Sequence, residues 1–265
     1  MRRLLAEREA LLDIPNVYSY QTFIDSDKAG YLIRQWVASN LYDRIRWAIP
    51  SKVDACVWYQ RLILSTRPFL SPVEKKWIAF QLLNALRDSR SHKVAHGDVK
   101  SENILVTSWN WVYLTDFASH KPTYLPLDDP SDFAFYFDTS GRRSCYVAPE
   151  RFYASGARPD GEPALGDTDR PNNNVHVTEA MDVFSAGCVI AELFREGAPL
   201  FTLSQLFKYR EGELNPDGLL TSIDDVGVRV RIAPDDKTIH GLINLIPLES
   251  HQRDDRPRSL SKAYL

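Results

Sequence analysis

A chain of 265 residues with 44% hydrophobic and 25% charged content can bury a sizeable core and lies near the upper limit for one domain. Its formal net charge of −3 gives no general basic field for nucleic acid or anionic lipid, and Arg142-Arg143 is too short to form a polybasic patch. The three cysteines, Cys56, Cys145 and Cys188, are too scattered for a metal or disulfide framework, which suits a reducing, cytosolic setting.

Residues 2 to 12 read as a helix, followed by two strands at Tyr18 to Phe23 and Tyr31 to Trp36. No apolar run reaches transmembrane length, no secretory signal opens the chain, and Arg2 after Met1 gives no N-myristoylation signal. Residues 46–64 carry Trp47, Val57, Trp58, Ile63 and Leu64, an apolar set that a solvated loop does not easily hide. Ser71-Pro72-Val73-Glu74 is an N-cap, a first-turn proline and a capping-box glutamate, leading into a long helix through Trp77, Ile78, Leu82, Leu83 and Leu86. Ile104-Leu105-Val106 and Trp111-Val112-Tyr113-Leu114 read as two short strands joined by a Ser/Asn turn. Residues 154–177 are rich in glycine, proline and asparagine and read as a surface loop. Asp182 then opens an apolar helix through Val183, Phe184, Val189, Leu193 and Phe194, which Gly197 ends.

Between the long helix and the loop lies the chemistry: His96-Gly97-Asp98, Lys100, Asn103 and Asp116-Phe117, with Ala148-Pro149-Glu150 further on. In-line phosphoryl transfer needs little covalent help; the protein orients a hydroxyl, neutralises phosphate oxygens and holds magnesium. Asp98 would receive the hydroxyl proton and Lys100 would approach the transferring phosphate. Asn103 and Asp116 would hold Mg²⁺, a hard cation suited to amide and carboxylate oxygens. Together these offsets resemble a protein kinase. The resemblance implies an α+β fold with a mostly helical large lobe over residues 38–265 and a truncated small lobe over residues 1–37, ATP as cofactor, and insertions at 46–64 and 154–177. It also implies that Asp182 braces the catalytic loop and that Glu150 pairs with an arginine, for which Arg256 is the candidate. Glu7 or Glu9 would be the glutamate of the small-lobe ion pair.

Several features depart from that pattern. Neither a Gly-rich phosphate loop nor a Val-Ala-X-Lys strand is found. Gly97 replaces the arginine that grips an activation-loop phosphate, Ala118 replaces the glycine after Asp116-Phe117, and Arg143 stands where a threonine usually touches the catalytic loop.

Longer phrases narrow the resemblance. His96-Gly97-Asp98-Val99-Lys100-Ser101-Glu102-Asn103, Leu114-Thr115-Asp116-Phe117-Ala118-Ser119, Lys121-Pro122-Thr123-Tyr124-Leu125-Pro126 and the run from Phe137 to Phe152 resemble the vacuolar-protein-sorting regulatory kinase subunit of class III phosphatidylinositol 3-kinase. That family implies the lipid-kinase catalytic subunit and a beclin-like subunit as partners. It places the protein in the cytoplasm, peripheral on endosomal, vacuolar or autophagic membranes through the complex. In it, Asn40 to Ile45 continues almost directly into Ser65 to Leu70, so the intervening residues are expected to be either a translated intron or a genuine surface insertion. Two functions follow: a kinase-like regulatory scaffold, favoured because phosphate contacts of the small lobe are missing, and an active ATP-dependent serine/threonine kinase. The activation segment from Asp128 to Tyr136 would either cover the cleft or dock the lipid kinase.

Overall fold

The computed structural model describes residues 2–27, 29–46, 70–154, 177–224, 228–231 and 242–245. The apolar residues expected within the 46–64 insertion, nearly all of the 154–177 loop, Cys56 and Arg256 lie outside them.

Helix α1 spans Arg2–Leu11, in agreement with the sequence. Strand β1 (Thr22–Asp25) pairs antiparallel with β2 (Gly30–Ile33), from Thr22 opposite Ile33 to Asp25 opposite Gly30. The sequence placed these strands at Tyr18 to Phe23 and Tyr31 to Trp36, and both shift. Backbone bonding is the reason. Tyr18 N–H donates to Leu114 O at 2.8 Å and Leu114 N–H donates to Asn16 O at 2.8 Å, so residues 16–18 run beside Leu114 instead of joining the hairpin. The Ser26 hydroxyl closes the turn by accepting from Ala29 N–H, which fixes the register. A short helix, α2 (Leu41–Arg46), follows, with Asn40 capping it through Asp43 N–H at 2.8 Å.

Helix α3 (Pro72–Ser91) begins as its sequence dictates: Ser71 Oγ accepts from Glu74 N–H, and the Glu74 carboxylate accepts from Ser71 N–H at 2.8 Å. Ile78, Leu82 and Ala85 are buried on one face, and α3 packs against the central helix described below. Burying a side chain such as Ile78 or Leu82 contributes roughly 1.5–3 kcal/mol. The chain then passes through the catalytic-loop motif and a single 3₁₀ turn (Ser101–Asn103) into β3 (Ile104–Val106), paired antiparallel with β4 (Val112–Leu114).

The segment after β4 forms β5 (Leu125–Pro126) and α4 (Pro130–Tyr136), which Asp129 caps. β5 pairs in parallel with β6 (Phe152–Tyr153), just past the Ala148-Pro149-Glu150 motif. The central helix, α5 (Glu179–Phe194), is capped by Thr178 and buried almost all round, so it has no polar face to give to solvent. It ends where Glu196 (φ 55°) and Gly197 (φ 84°) turn left-handed and Gly197 N–H returns to Glu192 O at 2.8 Å. α6 (Leu203–Arg210), α7 (Asp217–Asp224) and an antiparallel pair, β7 (Val228–Arg231) with β8 (Leu242–Leu245), follow. One apolar core joins α3, the β3–β4 hairpin, the activation segment and α5 through Leu82, Ile104, Val112, Phe133, Phe184 and Phe201. The result is a mostly helical large lobe beside a small α1–β1–β2 unit, the α+β kinase-like arrangement expected from sequence.

Candidate active site

The catalytic loop is held from beneath by α5. Asp182, in the first turn of that helix, accepts from His96 N–H at 2.7 Å and from Gly97 N–H at 2.9 Å. Each carboxylate oxygen takes one otherwise unpaired amide, which fixes the loop to a helix buried almost all round.

His96 is locked on three sides. Its Nδ1 accepts from Asp98 N–H at 3.1 Å, so the proton must reside on Nε2, which donates to Thr115 O at 2.9 Å. Phe117 packs on the ring at 4.5 Å between centroids. Burial pushes the imidazole below its ordinary 6.5 despite the opposing charges of Asp182 and Asp98, so it is neutral.

Asp98, Lys100 and Asn103 come together. The Asp98 side chain is 6% exposed; its Oδ2 lies 3.3 Å from Lys100 Nζ and accepts from Asn103 Nδ2 at 3.1 Å. A third donor was not foreseen: Lys121 Nζ reaches the same oxygen at 2.7 Å. Both lysines are anchored on the end of α4, Lys121 to Tyr136 O at 2.6 Å and Lys100 to Phe137 O at 3.2 Å. α4 therefore lies over the catalytic loop, with Phe133, Phe137 and Tyr146 lining the small cavity beside Asp98 and Gly97.

Asp116 sits at φ 62° at the end of the hairpin, joined to the loop by Thr115 N–H donating to Asn103 O at 3.0 Å. It does not touch Asp98, Lys100 or Asn103 through any described hydrogen bond or ion pair. Its partner is Arg34, just past β2, whose Nη1 and Nη2 meet Oδ1 at 3.0 Å and Oδ2 at 3.2 Å. Tyr20 is near it as well, and burial followed by the negative charge of Asp116 pushes its phenol up to about 12.

Protein kinases as a family use ATP with Mg²⁺. As arranged here, the residues expected to hold the metal do not fit it. Both Asp116 oxygens accept from the Arg34 guanidinium, which puts a fixed positive charge where the metal would sit.

Two arginines missed by sequence reasoning hold the surroundings. Arg151, immediately after Ala148-Pro149-Glu150, donates to Gly97 O at 2.8 Å, Thr123 O at 2.7 Å and Pro122 O at 2.9 Å, with Phe137 under its guanidinium at 4.8 Å. It joins both ends of the activation segment to the catalytic loop. Arg142 bridges Glu102 and the fully buried Glu192 and donates to Ser101 Oγ at 3.0 Å, while Tyr146 donates to Glu192 at 2.6 Å. Their only sequence signal was proximity to motifs, since each contacts carbonyls or carboxylates tens of residues away. Arg143 is exposed, with its backbone N–H on Asp138. Glu150 Oε2 is buried with no hydrogen-bond partner among the described residues, and burial raises its pKa. Glu7 accepts from Ser119 Oγ at 2.7 Å, which ties α1 to the start of the activation segment.

The Protein kinase domain family matches residues 10–216. The chain is 49% identical over 233 residues to the serine/threonine-protein kinase VPS15 of Arabidopsis thaliana, covering 87% of this chain and 14% of that protein. It is 51% identical over 220 residues to the probable serine/threonine-protein kinase vps15 of Dictyostelium discoideum (82% and 10%) and 47% identical over 232 residues to VPS15 of Saccharomyces cerevisiae (86% and 14%). The chain thus spans between a tenth and a seventh of the length of these relatives. With the braced catalytic loop, the hairpin and the central helix all in place over the matched residues, the chain belongs to the protein kinase domain family and is similar there to the VPS15 serine/threonine-protein kinases.

Proposed function

We propose that this is the kinase-like domain of a regulatory subunit of class III phosphatidylinositol 3-kinase, acting in vesicle sorting and autophagy mainly as a scaffold. Its partners are the lipid-kinase catalytic subunit and a beclin-like subunit. Membrane contact, on endosomal, vacuolar or autophagic surfaces, comes through that complex; among the described residues no helix is long and apolar enough to cross a bilayer.

The observation that carries the scaffold reading is the state of Asp98. A general base must present a free lone pair to the hydroxyl it deprotonates. Here Lys121, Lys100 and Asn103 converge on Asp98 Oδ2 and α4 lies over the loop, so what closes the carboxylate to an incoming hydroxyl is the cover and the crowding of that one oxygen.

The second reading, an active serine/threonine kinase, is favoured by the gathering of Asp98, Lys100 and Asn103 in one loop with Asp116 one backbone bond away. There Asp98 accepts the hydroxyl proton and Lys100 neutralises phosphate oxygen, once Lys121 withdraws.

The two separate in one experiment on the intact protein with its partners. For the scaffold, Asp98→Asn assembles with the lipid-kinase subunit as the parent does, and phosphate transfer is equally absent from both. Transfer by the parent that falls at least 10²-fold in Asp98→Asn establishes the kinase reading instead, and loss of assembly in other surface variants of this domain without loss of transfer would confirm separate roles.

A further inference from the structure

The two acids of the site meet their cations in different ways. Asp98 is deep and gathers flexible ammonium groups on one oxygen, whereas the Asp116 side chain is 41% exposed and is met by a planar fork, one guanidinium nitrogen to each oxygen. Arg34 is itself fixed at a further point. It hydrogen-bonds Thr115 Oγ1, and that hydroxyl donates in turn to Tyr18 O at 3.1 Å, within the segment bonded to Leu114. A guanidinium is charged at every accessible pH, binds carboxylates in two parallel bonds and loses little freedom in doing so. Mg²⁺, by contrast, demands near-octahedral oxygen geometry and needs carboxylate lone pairs that point at it. Each Asp116 oxygen already accepts one guanidinium N–H, and a divalent ion drawn close would face the positive charge of Arg34.

We infer that Arg34 is the resident cation of this site: it occupies the carboxylate that a hard divalent ion would require and keeps such ions off Asp116. The inference depends on Asp116 being the carboxylate of the metal motif and is indifferent to whether the protein scaffolds a lipid kinase. A polyphosphate reaching the site then meets the fixed charges of Arg34, Lys100 and Lys121 with no divalent ion between them.

The test uses the metal alone. Mn²⁺ is titrated into the intact protein and free ion is followed by electron paramagnetic resonance, for the parent, Asp116→Asn, Arg34→Met and the double variant. The parent and Asp116→Asn are expected to bind Mn²⁺ alike, Arg34→Met to gain a site at least tenfold tighter, and the double variant to lose it. A parent site that Asp116→Asn abolishes overturns the inference, as does an Arg34→Met protein that binds no better than the parent. Arg34→Lys keeps the charge but loses the fork and covers the case in which methionine prevents folding. It should show an intermediate gain, and parent-like binding by a folded Arg34→Lys counts against the proposal. Because assembly with the lipid kinase is not the readout, failure here leaves the scaffold reading untouched, and failure of that reading leaves this one standing.

Discussion

Gly97 stands where the kinase resemblance leads one to expect an arginine, and the backbone explains why glycine suits the position. It lies at φ 79°, gives its N–H to Asp182 and its carbonyl to Arg151, and an added Cβ would come within 3.3 Å of Val177 and 3.6 Å of Ala118 O. Restoring the arginine, Gly97→Arg, should destabilise the protein by about 1–2 kcal/mol from backbone strain alone, read as a lowered urea midpoint. Beside it, His96 contributes a pH dependence whose sign is fixed. Its folded pKa lies below the ordinary 6.5, so the unfolded chain takes up a proton first as pH falls, and stability drops on acidification below that value. Urea unfolding across a pH series should show a shallower fall for His96→Asn than for the parent; equal slopes would contradict a buried neutral imidazole. At this scale the sequence was readable where chemistry fixes short offsets, as for Asp98, Lys100 and Asn103. It was silent on Lys121 and Arg34, whose partners lie 23 and 82 residues away.

Among the elements, those with a local cause were legible. The start of α3 follows from four residues, since Ser71, Pro72 and Glu74 satisfy the first-turn amides themselves. Ser71→Ala is expected to cost about 1 kcal/mol in thermal or urea unfolding, with little effect on the catalytic loop. The end of α5 was likewise set by Gly197, though Glu196 shares the left-handed turn. The strand boundaries at the small unit were not legible. Whether Tyr18 bonds a neighbouring strand or Leu114 depends on tertiary placement, and apolar alternation carries no trace of that choice. The cover over the site was legible only as one of two alternatives for Asp128 to Tyr136, because acid and aromatic residues in one segment do not say which surface they face until α4 is seen above Asp98.

For the molecule as a whole, the kinase class followed from motif order, while its internal wiring did not. Arg142-Arg143 reads in sequence as a minor basic pair, yet Arg142 is the hub joining the activation segment to α5 through Glu192 and to the 3₁₀ turn through Glu102 and Ser101. Glu192 is fully buried, and burial with its charge raises the Tyr146 phenol well above its ordinary value, so Tyr146 remains a donor to it. Breaking such a pair leaves an uncompensated charge, so Arg142→Met should cost roughly 3–5 kcal/mol. The double change Arg142→Met with Glu192→Met should cost less than the two singles added together, since it removes both charges at once. Strict additivity in urea denaturation would show that the two side chains do not interact.

The burial of Arg151 has a consequence for proteolysis. Its side chain is a recognition site for trypsin-like enzymes, but the residue is 2% exposed and all its carbonyl partners lie on the catalytic loop and the activation segment. Cleavage before Phe152 must wait until those two segments come away from Arg151, so the appearance of a new terminus there times the opening of the large lobe.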